Sequence, residues 1–219
     1  MKVLVTRQRE QARPLIDALV AHGFDVVVKP LIRIEPLSDE PIDTSGYDWV
    51  IVTSPNGARE FARRRTGALS QVAVIGPGTA AALQEAGIAA SLDPAVHTQE
   101  ALVDALRALP EPPRRPLFVG AERARRLVVE ALQADFVPLY RTHELVPNEL
   151  PDVDLVLLLS PSAASAYGRA GGRAPVVSIG PQTTAAARGA GLEVVAEADS
   201  PDIAGLVDSA AAWRDSSPS

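Results

Sequence analysis

The sequence predicts an α/β protein made of two related halves, and two features of the chain carry this prediction. Short β-branched runs alternate with stretches whose apolar residues recur at helical spacing, which is typical of parallel sheets covered by helices. The segment Asp48–Gly57 returns as Asp154–Ala163, and Val74–Ala81 returns as Ser178–Ala185. From Gly76 onward the two copies stay 104 residues apart, a period that indicates duplication of a domain-sized block.

The predicted strands are short, and several are apolar throughout, as they must be when helices cover both faces of a sheet. In chain order they are Val3–Thr6, Asp25–Val28, Trp49–Thr53, Val72–Ile75, a weak Ile88–Leu92, Leu117–Val119, Phe136–Tyr140, Leu155–Leu159, Val176–Ile179 and Glu193–Ala196. Between the strands lie segments whose apolar residues recur at helical spacing, for example Leu206, Ala210 and Trp213. A looser repeat pairs the helical segments Arg13–Leu19 and Arg126–Leu132.

Two extended segments interrupt the alternation of strands and helices at comparable places in the halves. They are Lys29–Pro36 and Pro138–Pro147, and each is bracketed by prolines, which disfavour helix at the preceding residue. We expect both segments to be crossings between domains. The proline-rich stretch Leu109–Pro116 is predicted to be a surface connection at the start of the second half.

The composition excludes several classes of protein. None of the 219 residues is cysteine, which rules out disulfides, thiolate catalysis and cysteine-ligated metals. The formal net charge of −6 argues against sequence-independent binding of nucleic acid. No apolar run approaches the length of a membrane span, and Met1-Lys2 leads directly into a strand rather than a signal peptide. We therefore expect a cytoplasmic protein that binds neither nucleic acid nor membrane.

Four predicted helices begin with the same kind of dipeptide directly after a strand. These dipeptides are Ser54-Pro55, Gly76-Pro77, Ser160-Pro161 and Gly180-Pro181. Ser or Gly suits the N-cap and Pro suits the first helical position, so good capping alone explains each one. The same geometry presents unpaired N–H groups and partial positive charge at the carboxyl edge of a sheet, which suits carboxylates or phosphates. Four such ends in two halves favour a ligand with several negative groups, bound in the cleft between the halves.

Hydroxyl side chains beside these helix starts add hydrogen-bond donors for carboxylate oxygens. They belong to Thr53, Ser54, Thr79, Ser160, Ser162 and Thr183. Arg7, directly after the first strand, either binds a carboxylate bidentately or covers a surface. Tyr140 either packs at a strand end or presents its phenol to the ligand as a donor. The arginines between Arg114 and Arg126 suit a solvated helix face, with weak steering of the ligand as the alternative.

Other chemistry has little support in the sequence. The segment Gly76–Ala81 fits the dinucleotide pattern G-x-G-x-x-A with Asp93 as ribose partner, but the repeated copy has Gln182 in place of the second glycine. The three histidines stand apart without metal-ligand spacing, so we expect no metal site. Neither a nucleophile elbow nor a Walker sequence is present.

In their order and spacing, several of these motifs resemble the uroporphyrinogen-III synthase family. The resemblance spans about residues 1 to 213, and no single motif carries it alone. The motifs are Val3–Arg7, Pro30–Pro36, Thr53–Gly57, Ile75–Ala80, Tyr140–Thr142, Ser160–Ala163, Ile179–Thr183 and Ser200–Leu206. Two departures are Gln182, where relatives often carry a hydroxyl residue, and the Gly171-Gly172 turn, which suggests a shortened loop.

The resemblance implies two similar α/β domains with flavodoxin-like layering, joined by a two-stranded linker. Residues 1–33 and 150–219 would form domain 1, residues 37–146 would form domain 2, and the linkers would be 30–37 and 138–149. It implies a monomeric, cofactor-independent lyase that closes hydroxymethylbilane, a linear tetrapyrrole with eight carboxylates, while inverting the last pyrrole ring and losing water. Tyr140 would assist catalysis. The substrate-binding residues would be Arg7, Thr53, Ser54, Asn56, Gly78, Thr79, Ser160, Ser162, Gln182 and Thr183.

Two rival functions stay open at this point. In the first, two lobes close on an anion without any chemistry; in the second, a nucleotide-dependent oxidoreductase uses the G-x-G-x-x-A segment. Formation of isomer III from hydroxymethylbilane separates the synthase from the binding module, and tight binding of NAD(P) would favour the oxidoreductase.

Overall fold

A computed structural model describes residues 1–216, apart from the side chain of Glu10. The strands are, in chain order, β1 (Lys2–Val5), β2 (Asp25–Val28), β3 (Ile32–Pro36), β4 (Ile42–Asp43), β5 (Trp49–Val52), β6 (Arg65–Thr66), β7 (Gln71–Val74), β8 (Pro116–Ala121), β9 (Asp135–Glu144), β10 (Leu155–Leu158), β11 (Val176–Ser178) and β12 (Val194–Glu197). The helices are α1 (Arg9–Ala21), α2 (Pro55–Arg64), α3 (Pro77–Gln84), α4 (Gln99–Arg107), α5 (Leu127–Leu132), α6 (Pro161–Arg169), α7 (Pro181–Gly189) and α8 (Ile203–Ser216).

The chain divides into two compact units. Unit 1 contains Met1–Arg33 together with the chain from Thr142 onward, and unit 2 contains Ile34–Arg141. Strands β3 and β9 each contain one boundary between the units, since the chain leaves unit 1 within β3 and returns to it within β9.

Unit 1 is built on a five-stranded sheet in the order β12-β11-β10-β1-β2, and every strand pair in it is parallel. Successive residues of β1 alternate between the two faces: Val3 and Val5 pack with α1 and α8, whereas Leu4 packs with α6 and α7. Both faces are therefore buried, which explains why the strands of this sheet are apolar at consecutive positions.

Unit 2 repeats this layering with a sheet in the order β3-β9-β8-β5-β7, where β9, β8, β5 and β7 run parallel. Helices α2 and α3 cover one face through Phe61 and Leu83, and α4 and α5 cover the other through Leu102, Leu106 and Val128. A two-stranded parallel pair, β4 with β6, lies beside this sheet. The prediction of an α/β fold with parallel sheets flanked by helices is confirmed.

The predicted strand Ile88–Leu92 is wrong. In the structure only Leu92 forms a bridge, with Ala73 of β7, and the residues before it are not a strand. The counterpart in unit 1 bears Val194 and Val195 and forms β12, in which Ala196 pairs with Val177. Ala73 and Leu92 each lie 104 residues before Val177 and Ala196, so the two pairings are equivalent in the two repeats. The first repeat forms only this single bridge, whereas the second repeat forms a full strand around it. The physical reason is composition, since Ala and Ser at the centre of the first copy have lower strand propensity than Val.

The two sequence repeats exchange their first blocks between the units. The block β1-α1-β2 corresponds to β8-α5-β9, in line with the looser repeat noted above, and β5-α2-β7-α3 corresponds to β10-α6-β11-α7. Unit 1 joins the first block of the first repeat to the later elements of the second repeat, and unit 2 joins the complementary pieces. As a result β1 lies beside β10, and β8 lies beside β5.

A β-bulge interrupts β9 just before Tyr140. Gly120 of β8 pairs with Pro138, and the next residue, Ala121, pairs with Tyr140, so Leu139 is an extra residue in β9. Pro138 has no N–H for the ladder and is tolerated at such an irregularity. Because of the bulge, Leu139 and Tyr140 both pack into the core beneath α2 and α3, although neighbouring strand residues normally point to opposite faces. The bulge therefore directs the Tyr140 side chain toward α2.

Candidate functional site at the carboxyl edges of the sheets

The four predicted helix starts are confirmed. Helices α2, α3, α6 and α7 each carry proline in the first turn, and their N-caps are Ser54, Gly76, Ser160 and Gly180. The two serine caps are satisfied in the same way: the Ser54 hydroxyl accepts from the Gly57 N–H at 3.1 Å, and the Ser160 hydroxyl accepts from its counterpart at 3.2 Å.

In each of these four helices, one backbone N–H of the first turn has no acceptor within the helix. The first helical residue is proline, which has no N–H, and the N–H of the third is bonded to the cap residue. The N–H of the second residue has no acceptor within its helix. These second residues are Asn56, Gly78, Ser162 and Gln182. All four were predicted to bind substrate, and their backbone N–H groups suit a carboxylate.

The helix starts lie in pairs because their strands are neighbours. In unit 2, β5 adjoins β7, and a Cβ built on Gly78 would lie 3.6 Å from the ring of Pro55, so α2 and α3 begin side by side. In unit 1, β10 adjoins β11 and therefore places the starts of α6 and α7 together. Arg7 follows β1, the other neighbour of β10, at the same edge, where it is partly buried.

In unit 2, Tyr140 and Ser54 contact each other across this edge. The Tyr140 hydroxyl lies 3.0 Å from the Ser54 hydroxyl, and Tyr140 is only 6% exposed. The loop after β8 is held to the same strand, since the Glu122 N–H donates to the Tyr140 carbonyl at 2.8 Å. Glu122 also forms a bidentate ion pair with Arg141, at 2.7 and 2.8 Å. Tyr140 is therefore positioned from both sides of the strand.

Burial extends to higher pH the range in which the Tyr140 phenol is protonated. Removal from water raises the pKa of the phenol above its usual value of 10.0, and the hydrogen bond with Ser54 opposes this rise. At neutral pH the group is a neutral phenol, which suits a proton donor rather than a base.

The remaining predicted site residues differ in how accessible their side chains are. Thr53 is partly buried behind the α2 start. Thr79 is 2% exposed and its hydroxyl donates to the Ile75 carbonyl at 2.8 Å, so this hydroxyl serves the first turn of α3. Thr183 is likewise buried, at 3% exposed. The side chains of Ser162 and Gln182, at the second helical position, are more accessible.

Asp93 and His97 lie at the start of α3. The Asp93 carboxylate accepts from the Gly76 N–H at 2.8 Å, and the His97 ring lies 3.8 Å from the same carboxylate oxygen. A Cβ built on Gly76 would lie 3.7 Å from the His97 ring. Asp93 therefore binds the backbone at the N-cap of α3, which disfavours its predicted alternative role as a ribose partner. The Asp-x-x-x-His spacing is the only sequence signal that could have placed His97 at this edge.

The arginine cluster is separated by the fold into unrelated groups. The Arg115 guanidinium lies over the Tyr47 ring at 4.9 Å, and Arg126 lies over Phe136 at 3.9 Å. Arg125 pairs with Glu100 through two hydrogen bonds. These contacts are structural, and the steering role is not needed to account for them.

A matched pair of substitutions tests the backbone requirement at the helix starts. Gly76 has φ +82°, a region that L-residues avoid, whereas Gly180 has φ 163°, which is extended backbone. A Cβ has room at both positions. We expect Gly76→Ala to lower the free energy of unfolding by about 1–3 kcal/mol and Gly180→Ala to change it by less than about 0.5 kcal/mol. Denaturant unfolding measures both, and equal losses would contradict the assignment.

Neither metal ligation nor membrane spanning is visible in residues 1–216. No group of three or more His, Asp and Glu side chains is arranged to hold a metal ion within that range. Within the same range no helix is both long enough and apolar enough to cross a bilayer.

The fold defines the class of protein as an α/β protein with Pro-marked helix starts at the carboxyl edges of its parallel sheets. The sequence model of the family described as uroporphyrinogen-III synthase HemD matches residues 13–208. The chain belongs to this family.

Individual relatives are similar at lower coverage. A putative uroporphyrinogen-III synthase of Methanocaldococcus jannaschii is 26% identical over 156 residues, which are 66% of this chain and 63% of that protein. The porphyrin biosynthesis protein HemD of Ruminiclostridium josui is 26% identical over 166 residues, which are 67% of this chain and 33% of that protein. The matched region thus covers less than two thirds of either relative. A mutant uroporphyrinogen III synthase of Thermus thermophilus has the same fold, with a TM-score of 0.57 at 15% identity over 98% of this chain and 99% of that one.

Proposed function

We propose that this chain is a uroporphyrinogen-III synthase, which cyclises hydroxymethylbilane with inversion of the last pyrrole ring and loss of water. The observation that carries the proposal is the repeated helix start: two pairs of Pro-marked N-termini, one pair at the carboxyl edge of each sheet. A linear tetrapyrrole with eight carboxylates is a ligand that needs several such anion-binding positions. Membership of the family supports the same reaction.

The chemical task is chiefly one of positioning. Loss of the terminal hydroxyl as water leaves an azafulvene cation, which the far end of the chain attacks without help to give the uninverted isomer. To give isomer III, attack must come from the substituted carbon of the last ring, through a spiro intermediate. The backbone donors at Asn56, Gly78, Ser162 and Gln182 would hold the carboxylates in the required curl. No cofactor takes part in this reaction.

Tyr140 is the proton donor in this proposal. Its phenol is neutral at working pH, lies at the edge where α2 begins, and would protonate the departing hydroxyl. Arg7 would contribute a bidentate carboxylate contact in unit 1. The Thr79 hydroxyl gives its one proton to the Ile75 carbonyl and would support the start of α3. The hydroxyls of buried Thr183 and partly buried Thr53 would support the helix starts or donate to a substrate carboxylate.

The proposal includes a two-domain organisation. Residues 1–33 and 150–219 would act as one domain and 37–146 as the other, with a two-stranded linker formed by 30–37 and 138–149. The pairing of β3 with β9 supports the linker. We further propose that the protein works as a monomer in the cytoplasm.

Incubation with hydroxymethylbilane, followed by chromatographic separation of the products, tests the function. The spontaneous reaction gives isomer I, so the expected result is a large excess of isomer III over the protein-free control. Isomer I alone, together with measurable binding of the substrate, would leave a binding module without catalysis.

A further inference from the structure

We propose that Ser54 is a positioning residue for Tyr140, donating its hydroxyl proton to the phenol oxygen, rather than a ligand of a substrate carboxylate. The proposal rests on the function given above, because it assigns Tyr140 as the proton donor. It changes the predicted role of Ser54 from binding the substrate to controlling a catalytic group.

The hydrogen bonds of Ser54 support this direction. A serine hydroxyl has one proton and two lone pairs. One lone pair of Ser54 accepts from the Gly57 N–H at 3.1 Å, and the same hydroxyl contacts the Tyr140 hydroxyl at 3.0 Å. If Ser54 donates its proton to the Tyr140 oxygen, the phenol proton points away from Ser54 and can be donated to the substrate. A donor that itself accepts a hydrogen bond is strengthened by polarisation.

The arrangement becomes most favourable when the reaction is under way. As the Tyr140 O–H bond breaks, its proton passes to the substrate hydroxyl oxygen, and the carbon–oxygen bond breaks to release water and the azafulvene cation. The phenolate that remains is stabilised by the Ser54 O–H, which in turn is bound to Gly57 in the first turn of α2. The N-terminal end of a helix favours negative charge at this place. The proton released when the last ring regains aromaticity returns to the phenolate, so the cycle balances.

Two local features make the contact possible. The bulge at Leu139 turns Tyr140 to the face that carries α2. Gly57 has no side chain, and a Cβ there would lie 3.0 Å from the Ser54 hydroxyl and 3.9 Å from the Gly120 Cα. Ser54, Gly57 and the bulge thus together hold the Tyr140 phenol in place.

The test compares Ser54→Ala and Ser54→Thr with the wild-type protein. The first readout is the tyrosinate absorbance as a function of pH, taken as the difference between each protein and the same protein with Tyr140→Phe. This difference isolates Tyr140 from Tyr47 and Tyr167 and needs no substrate. We expect the pKa of Tyr140 to rise in Ser54→Ala, because a bond that lowers it is lost, and to return toward the wild-type value in Ser54→Thr.

The second readout is steady-state kinetics. We expect Ser54→Ala to lower kcat about tenfold with KM changed less than about twofold, and to have no further effect on kcat in a Tyr140→Phe background. Thr98→Ala is the matched control, since Thr98 caps α4 by accepting from the Ala101 N–H at 3.2 Å. It removes a cap of the same kind, and kcat should stay at the wild-type value.

Three results would overturn the proposal. A raised KM with unchanged kcat in Ser54→Ala would make Ser54 a substrate ligand. Additive losses in the double variant would make it independent of Tyr140. An unchanged Tyr140 pKa would show that the hydroxyl does not donate to the phenol. Failure of the proposed function is distinguishable from these, since it would appear as absence of isomer III in the wild-type protein.

Discussion

Replacing Tyr140 by phenylalanine is expected to lower kcat by about 100-fold or more, because the substitution removes the proton donor for the departing hydroxyl. The ring remains, so the core beneath α2 stays filled, and only the hydrogen bond with Ser54 is lost. We expect the free energy of unfolding to fall by about 1 kcal/mol. Turnover of hydroxymethylbilane and denaturant unfolding measure the two effects separately.

Tyr47→Phe is the control for this substitution. It removes a phenol from the same unit, one that donates at 3.0 Å to Asp135, the first residue of β9, whereas Tyr140 lies in the middle of this strand. Turnover of this control should match the wild type. The pH profile gives a further check: activity that depends on the neutral phenol is present below the raised pKa of Tyr140 and is lost as pH rises through it. Wild-type turnover in Tyr140→Phe would remove the residue from the mechanism.

Introducing an acidic side chain at the helix starts is expected to stabilise the helix but to weaken substrate binding. Asn56→Asp and Gln182→Glu keep the size of the side chain and add one negative charge at the second residue of α2 and α7. An acidic group in the first turn stabilises a helix by about 0.3–1 kcal/mol. The same charge about 6 Å from a substrate carboxylate repels it by roughly 3 kcal/mol at an effective dielectric constant of about 20. KM should therefore rise about 10- to 100-fold while the melting temperature stays equal or rises.

Gln71→Glu supplies the matched charge change. Gln71 is exposed at the first residue of β7, at the amino end of the strand that leads to α3. KM should stay close to the wild-type value in this variant. Raised salt should reduce the KM defect of Asn56→Asp and Gln182→Glu, since screening weakens the repulsion between charges. If both acidic variants bound substrate normally, the helix starts would not be the carboxylate sites.

The sequence predicts best what is determined locally. Ser54-Pro55 and Ser160-Pro161 were sufficient to predict the helix starts, since a cap and a proline act on their own turn. The Leu-rich run at β10 was sufficient to predict a buried parallel strand. The two-residue strands β4 and β6 show no period of two that a pattern could reveal, and they were missed.

What the sequence could not predict depends on contacts between distant residues. The Tyr140–Ser54 pair joins positions 86 apart in the chain, and it exists because the bulge at Leu139 changes which face Tyr140 points to. A pattern of alternating residues cannot show such a bulge before the register of β8 and β9 is known.

The exchange of first blocks between the repeats has a consequence for how the protein folds during synthesis. Val3 of β1 pairs with Leu155 of β10, whereas the strands of unit 2 all lie within residues 34–141 apart from the ends of β3 and β9. A ribosome that has released the first 150 or so residues has therefore delivered every partner that unit 2 needs, while β1 still awaits β10 and α1 still awaits α8. The amino-terminal segment must stay soluble through that interval, so substitutions that add apolar surface to α1 should reduce the yield of folded protein more than equal changes in α8.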